Sequence, residues 1–169
     1  NNVVNKDYYT YTKVVFTDNI DFGGETEFED DNCTFTAIKN WETNSTYRSF
    51  EFDGQNKTIS NFTIINPAAK DLAIFDSYVG DVKNVTMKNV TLIGLGRIAP
   101  LASRIWGNID NCHVDGFVGY AIANGDDGDK VGGLVAQMQD PNAITNCSVK
   151  NADIEGYRDL GAVAGMANL

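Results

Sequence analysis

Four segments of this chain share one pattern, apolar-x-Asn-apolar-x-apolar. They are Ile59-Ser60-Asn61-Phe62-Thr63-Ile64, Val82-Lys83-Asn84-Val85-Thr86-Met87, Ile109-Asp110-Asn111-Cys112-His113-Val114 and Ile144-Thr145-Asn146-Cys147-Ser148-Val149. Their asparagines are 23, 27 and 35 residues apart. Repeats of this period specify a stack, because one unit cannot bury its apolar face alone and must lay it against its neighbours. The repeat therefore constrains architecture far more than it constrains activity.

A second motif interleaves with the first. Val131-Gly132-Gly133-Leu134-Val135-Ala136 matches Leu160-Gly161-Ala162-Val163-Ala164-Gly165, and more loosely Ile98-Ala99-Pro100-Leu101-Ala102-Ser103, with Leu72-Ala73-Ile74-Phe75 a degenerate first copy. One coil then reads as a small-residue strand, a turn, the Asn corner and a further strand such as Val90–Gly94 or Ala152–Gly156. Val14–Phe22 reads as strand, turn and short strand, and Phe50–Gly54 as a period-2 strand entering a turn. No stretch has helical spacing with caps. The strands alternate, so one face enters a narrow core and the other meets water. Stacked coils would pair in parallel at about 4.8 Å. Asn61, Asn84, Asn111 and Asn146 would then form an asparagine ladder, since Asn tolerates left-handed backbone angles and its amide can reach the next coil. The expectation is one all-β domain over residues 1–169, a parallel β-helix of about five coils. Residues 1–70 would form irregular N-terminal capping coils and 71–169 the regular repeat.

These residues resemble the GLUG-type repeats of bacterial surface proteins, which pair a Gly-Gly-Leu-Val-Gly strand with an Ile-x-Asn-Cys-x-Val corner. The resemblance covers roughly residues 71–169, and Phe22-Gly23-Gly24, Phe35–Ile38 and Phe50–Ile59 resemble the lead-in that often precedes such repeats. Ala136 stands in place of the last Gly of the pattern, and Ala99-Pro100 in place of its Gly pair. The resemblance implies a right-handed parallel β-helix displayed outside a cell, within large adhesin-like or protease-associated proteins. It implies no catalytic residues.

Charge excludes some partners. The formal net charge is −10 and the basic residues are scattered, whereas nucleic acids and anionic membranes call for a cationic face. No run reaches the roughly 18 apolar residues of a membrane-spanning helix. The chain opens on Asn1-Asn2 with no visible signal peptide, so the expectation is a processed leader or a piece of a longer chain. Three cysteines without C-x-x-C spacing fit neither a zinc site nor a disulfide scaffold.

Candidate chemistry is sparse. Asp126, Asp127 and Asp129, in the loop Asn124–Asp129, could offer calcium clustered oxygen ligands, yet the loop departs from the EF-hand at its glycine and lacks the twelfth-position glutamate. A solvated bulge is the competing reading. Cys112 and Cys147 occupy equivalent corners, but side-by-side Cβ vectors suit free thiols better than a disulfide; Cys33 is left unpaired. His113 is the only histidine, expected at the exposed surface with no ensemble for a metal site or triad. Asp110, Asp115, Asp153 and Glu155 are outward carboxylates of the kind polysaccharide-cleaving β-helices use, with nothing singling out a pair. Asn-x-Ser/Thr sequons include those at Asn44, Asn56, Asn61, Asn84, Asn89 and Asn146. Three of them are ladder positions expected to turn their side chains inward, which leaves Asn44 as the accessible glycan acceptor. Tyr8, Tyr9, Tyr11, Trp41 and Tyr47 either form a stacking platform for sugars or shield the first coil.

The last coil stops at Met166–Leu169, before its Asn corner. Either further coils follow, or the open C-terminal coil docks on another subunit head to tail. The functional expectation is a non-catalytic extracellular structural or adhesive module that contacts a glycan or a host or cell-surface protein. A filament subunit is the alternative, and a carbohydrate-active enzyme the third reading.

Overall fold

A computed structural model describes residues 13–23, 37–38, 49–122, 130–139 and 142–168. Among them the chain is all β, with no helix. Two short strands come first, β1 (Lys13–Val15) and β2 (Ile20–Asp21). The next turn comprises β3 (Glu51–Asn66), β4 (Asp71–Leu72) and β5 (Phe75–Val79). It is followed by β6 (Val82–Gly94), β7 (Arg97–Ile98) and β8 (Ala102–Trp106). A third turn contains β9 (Ile109–Asp110), β10 (His113–Ala121), β11 (Lys130–Gly132) and β12 (Val135–Met138). The last contains β13 (Ile144–Thr145), β14 (Ser148–Glu155), β15 (Leu160–Gly161) and β16 (Ala164–Ala167).

Successive turns lie over one another in three parallel sheets, ordered β1-β3-β6-β10-β14, β4-β7-β11-β15 and β5-β8-β12-β16; β2, β9 and β13 join the first. The fold is a parallel β-solenoid of about four turns rather than five. The difference lies at the start: β1 and β2 pair with β3, but only the isolated Ile38–Phe75 bridge continues that layer toward the other sheets among the described residues.

Alternation builds the interior. In β6 Val82, Val85, Met87, Val90 and Leu92 are buried, and Ile109, Val114, Phe117 and Gly119, the register partners of Val82, Met87, Val90 and Leu92, continue the same columns. Parity slips between Val82 and Val85 and again between Met87 and Val90, where the strand bends. The first turn is aromatic inside. Phe52 packs edge-on against Phe16 at 4.9 Å and against Phe75 at 4.8 Å, and Phe75 meets Tyr78 at 4.8 Å. Such pairs add about 0.5–1.5 kcal/mol beyond area burial. The Tyr78 hydroxyl donates to the Phe50 carbonyl at 2.7 Å, which satisfies the one polar atom this ring carries inward.

The small-residue motif is the arch between the second and third sheets. A Cβ on Gly132 would collide with the Val135 carbonyl oxygen, and one on Gly161 with that of Ala164. Glycine is required there because the backbone folds back on itself too closely for a side chain.

Candidate interaction surface

The corners hold two asparagine columns, not one. In the first, Asn111 Nδ2 donates to Asn84 Oδ1 at 2.8 Å and Asn84 Nδ2 to Asp53 Oδ1 at 2.8 Å. Asn146 lies beneath Asn111 in register, but its amide goes to Asp110 Oδ1 at 2.8 Å. In the second column Asn89 Nδ2 donates to Asn61 Oδ1 at 2.8 Å, and Asn61 Nδ2 to Asp21 Oδ1 at 2.9 Å. Gly116 and Asn151 continue it, the Asn151 amide reaching Asp115 at 2.7 Å. Asn61 therefore does not stack on Asn84; β3 pairs Ser60 with Lys88 and Phe62 with Val90. Met87-Lys88-Asn89-Val90-Thr91-Leu92 fits the repeat pattern as well as the Asn84 segment does, and Val149–Ile154 fits it again around Asn151. That second match was the signal for a second corner.

Every corner residue has positive φ, from 50° at Asn111 to 81° at Gly116. Column bonds run along the solenoid at the rim and not into the core, contrary to the inward orientation expected of the sequon asparagines. Asn61, Asn84 and Asn146 spend their amides on these bonds, while Asn44 lies outside the described residues.

His113 also departs from its expected place. It is half-buried, with Nε2 3.0 Å from Asn111 Oδ1 and Nδ1 2.9 Å from Ser148 Oγ. Because Oδ1 can only accept, Nε2 carries the proton in this contact, and Nδ1 of the neutral ring accepts from the serine hydroxyl. His113 thus occupies the acceptor that Asn146 would need, which accounts for the turn of Asn146 to Asp110.

Outward carboxylates divide into two groups. Asp110 accepts from Thr145 Oγ1 at 2.6 Å and from Asn146, which hold its carboxyl below the usual carboxylate range. Asp115 takes the Asn151 amide. Both are structural acceptors. Asp153 and Glu155 are exposed on β14, on the far side of the second corner. Asp53 is the extreme case, only 4 % exposed. Burial alone would raise its pKa, but bonds from Lys13 Nζ, the Asn84 amide and the Gln55 amide N–H outweigh this and leave it well below the ordinary range.

Beyond the second corner the outward side chains form two rows across the turns: Thr63, Thr91, Val118, Asp153 and Ile65, Ile93, Tyr120, Glu155. Val118 is 44 % exposed and Tyr120 37 %. This is an apolar, partly aromatic strip ending in two carboxylates, with its side chains held at fixed spacing by the ladder beneath. On the second sheet the outward column is Asp71, Arg97, Lys130, Asp159, in which Arg97 forks onto Asp71 and Lys130 meets Asp159 at 3.4 Å. These charges neutralise one another.

Cys112 and Cys147 are both free thiols, Cys112 buried and Cys147 half-buried. The Cys112 backbone N–H donates to Cys147 Sγ at 3.3 Å, while the Cys112 thiol donates to the Asp110 carbonyl at 3.4 Å; the neighbouring Cys112 side chain and that N–H together bring the Cys147 thiol down to about 7. The same contact, with burial, raises Cys112. Cys33, the tyrosines and Trp41 of the first third, and the calcium candidates Asp126, Asp127 and Asp129 lie outside the described residues. Among the described residues no cluster of three His, Cys, Asp or Glu side chains converges on a cation position. No family model, curated protein or solved structure matches this chain.

Proposed function

We propose that this chain is a non-catalytic structural or adhesive module of a cell-surface protein, acting outside the cell as a stiff rod that presents outward side chains to a partner. The observation that carries the reading is the Val118–Tyr120 strip beside Asp153 and Glu155. An exposed aromatic ring with carboxylates one coil away provides a stacking face and hydrogen-bond acceptors for sugar hydroxyls. A glycan, free or on a host or cell-surface protein, is therefore the proposed partner. Commitment of Asp110 and Asp115 to corner bonds supports a holding role over a hydrolytic one. The resemblance of the repeats to GLUG-type surface proteins supports the location.

Glycan-array binding of the chain and of Tyr120→Ala tests this. Retention on defined glycans, reduced at least about tenfold by the substitution, is the expected result. Equal binding by both proteins would remove the strip as the contact. Release of reducing or unsaturated ends from polyuronides would overturn the non-catalytic assignment.

A further inference from the structure

The backbone fixes the proportions of the strip beyond the second corner. Along each strand it is only two outward residues wide. It begins after the corners at Asn61, Asn89 and Gly116, whose φ is positive. It closes where β3 ends at Asn66, β6 at Gly94 and β10 at Ala121. Across the coils it runs on without a break, as Thr63, Thr91, Val118, Asp153 in one row and Ile65, Ile93, Tyr120, Glu155 in the other. Residues two apart on a strand stand about 6.6 Å apart, and the stacked positions of one row span about 14 Å. The surface is a narrow track along the solenoid axis, one sugar ring wide and several rings long.

Its chemistry restricts what can lie on it. Ile65, Ile93, Val118 and the Tyr120 ring meet a ligand through carbon, so a sugar must turn C–H groups toward them. A pyranose with every substituent equatorial does so, because its hydroxyls project from the rim and leave the faces apolar. An axial hydroxyl would set an unpartnered oxygen against Ile93 or Val118 at the cost of its hydration. The Thr63 and Thr91 hydroxyls and the two carboxylates supply partners for the rim. Charge acts in the same direction. Neither row holds a lysine or arginine and the net charge is −10, so uronate, sulfate or sialate groups find no counter-charge.

The length of the track selects the linkage. Equatorial 1,4-linkage extends pyranoses into a straight ribbon that advances per ring by nearly the distance the solenoid advances per coil. An α-1,4-linkage curls the chain away from a straight track. We infer that the strip binds a neutral, linear, β-1,4-linked chain of all-equatorial pyranoses, lying along the solenoid axis with one ring per coil. This assignment rests on the reading of the strip as a glycan contact and adds the ligand's class and direction.

Calorimetric titration with cello- and chito-oligosaccharides of increasing length tests it, with maltohexaose and oligogalacturonate as the bent and the charged comparison. Affinity should rise at least about tenfold from the disaccharide to the tetrasaccharide and then level off. Maltohexaose and oligogalacturonate should bind at least about tenfold more weakly than the neutral tetrasaccharides. Ile65→Ala, two coils from Tyr120, should weaken the tetrasaccharide about threefold or more and leave the disaccharide unchanged. Tyr120→Ala should weaken both. Ile65 and Tyr120 face outward, so circular dichroism of the variants should match wild type. The cello and chito arms separate a glucan from an N-acetylglucosamine polymer, which share this chemistry. Three results would overturn the inference while leaving the strip a glycan contact: Tyr120-dependent preference for the bent or charged chain, no gain with length, or an Ile65→Ala effect that is absent or equal at both lengths. Failure of every glycan to bind through Tyr120 would overturn the contact itself.

Discussion

Asn111 donates its side-chain amide to Asn84 Oδ1 at 2.8 Å in the preceding turn, and both residues hold left-handed backbone angles, φ 50° and 57°. One residue type meets two demands at this corner. It accepts the left-handed conformation, and it carries a donor and an acceptor along the solenoid axis.

Separating those demands gives a first prediction. Asn111→Gly keeps the backbone angle and deletes the ladder bond, leaving Asn84 Oδ1 and the His113 ring short of a partner; about 1–2 kcal/mol of stability should be lost. Asn111→Ala adds the left-handed cost, about 1–2 kcal/mol more. Urea unfolding of the two variants checks the order, and equal losses would count against the strain argument.

The two columns predict which asparagines are coupled. A double-mutant cycle on Asn61 and Asn89 should return a coupling of about 0.5–1.5 kcal/mol, while Asn61 with Asn84 should be additive. The reverse result would restore a single column.

Gly132 should tolerate no side chain. Gly132→Ala drives a Cβ into the Val135 carbonyl, a backbone atom that moves only if the arch opens. A loss of about 3 kcal/mol or more is expected in thermal or urea unfolding. The neighbouring coil has Ala99 at the register-equivalent place, next to Ile98, so Ala99→Gly should not produce a gain of that size.

Asp53 sets an acid sensitivity. Its folded carboxyl lies below the unfolded value, so its contribution is complete above the ordinary aspartate range and is lost as pH falls toward the depressed folded value. Wild type should therefore lose stability on acidification from neutral pH to pH of about 3, the lower end being just under the ordinary aspartate pKa. Asp53→Asn should be less stable at neutral pH, with the gap narrowing in acid. Unfolding midpoints across that range decide it, and a constant gap would reject the assignment.

Cys147 should react before Cys112. Its sulfur is half-buried and held toward the thiolate by the neighbouring Cys112 side chain and N–H, whereas Cys112 is covered by the turns on either side. Peptide mapping after brief alkylation near neutral pH should find the label on Cys147, with Cys112 labelled only after denaturant. Preferential labelling of Cys112 would contradict the burial.

The stack itself was legible in the residues. Val82–Met87, Ile109–Val114 and Ile144–Val149 recur in one form, and the structure sets Asn84, Asn111 and Asn146 in register. Two things escaped a residue-by-residue reading. The Asn89 and Asn151 corners were hidden because Val90–Gly94 and Ala152–Gly156 read as strands joined to what precedes them, and the bend at their start leaves no Gly or Pro in the sequence. His113 was read as exposed from alternation alone, which gives the side of a strand but not what the next coil places over it.

By itself, then, the sequence determined that turns of chain must lie over one another, because each apolar face recurs at a period too short for a separate core. It also marked the residues that can turn a corner. Which asparagine stands on which, why the Asn146 amide goes to Asp110, and which carboxylates stay open were decided only by tertiary structure. Those outcomes depend on inter-coil register, and register is a relation between residues some thirty positions apart that no local pattern encodes.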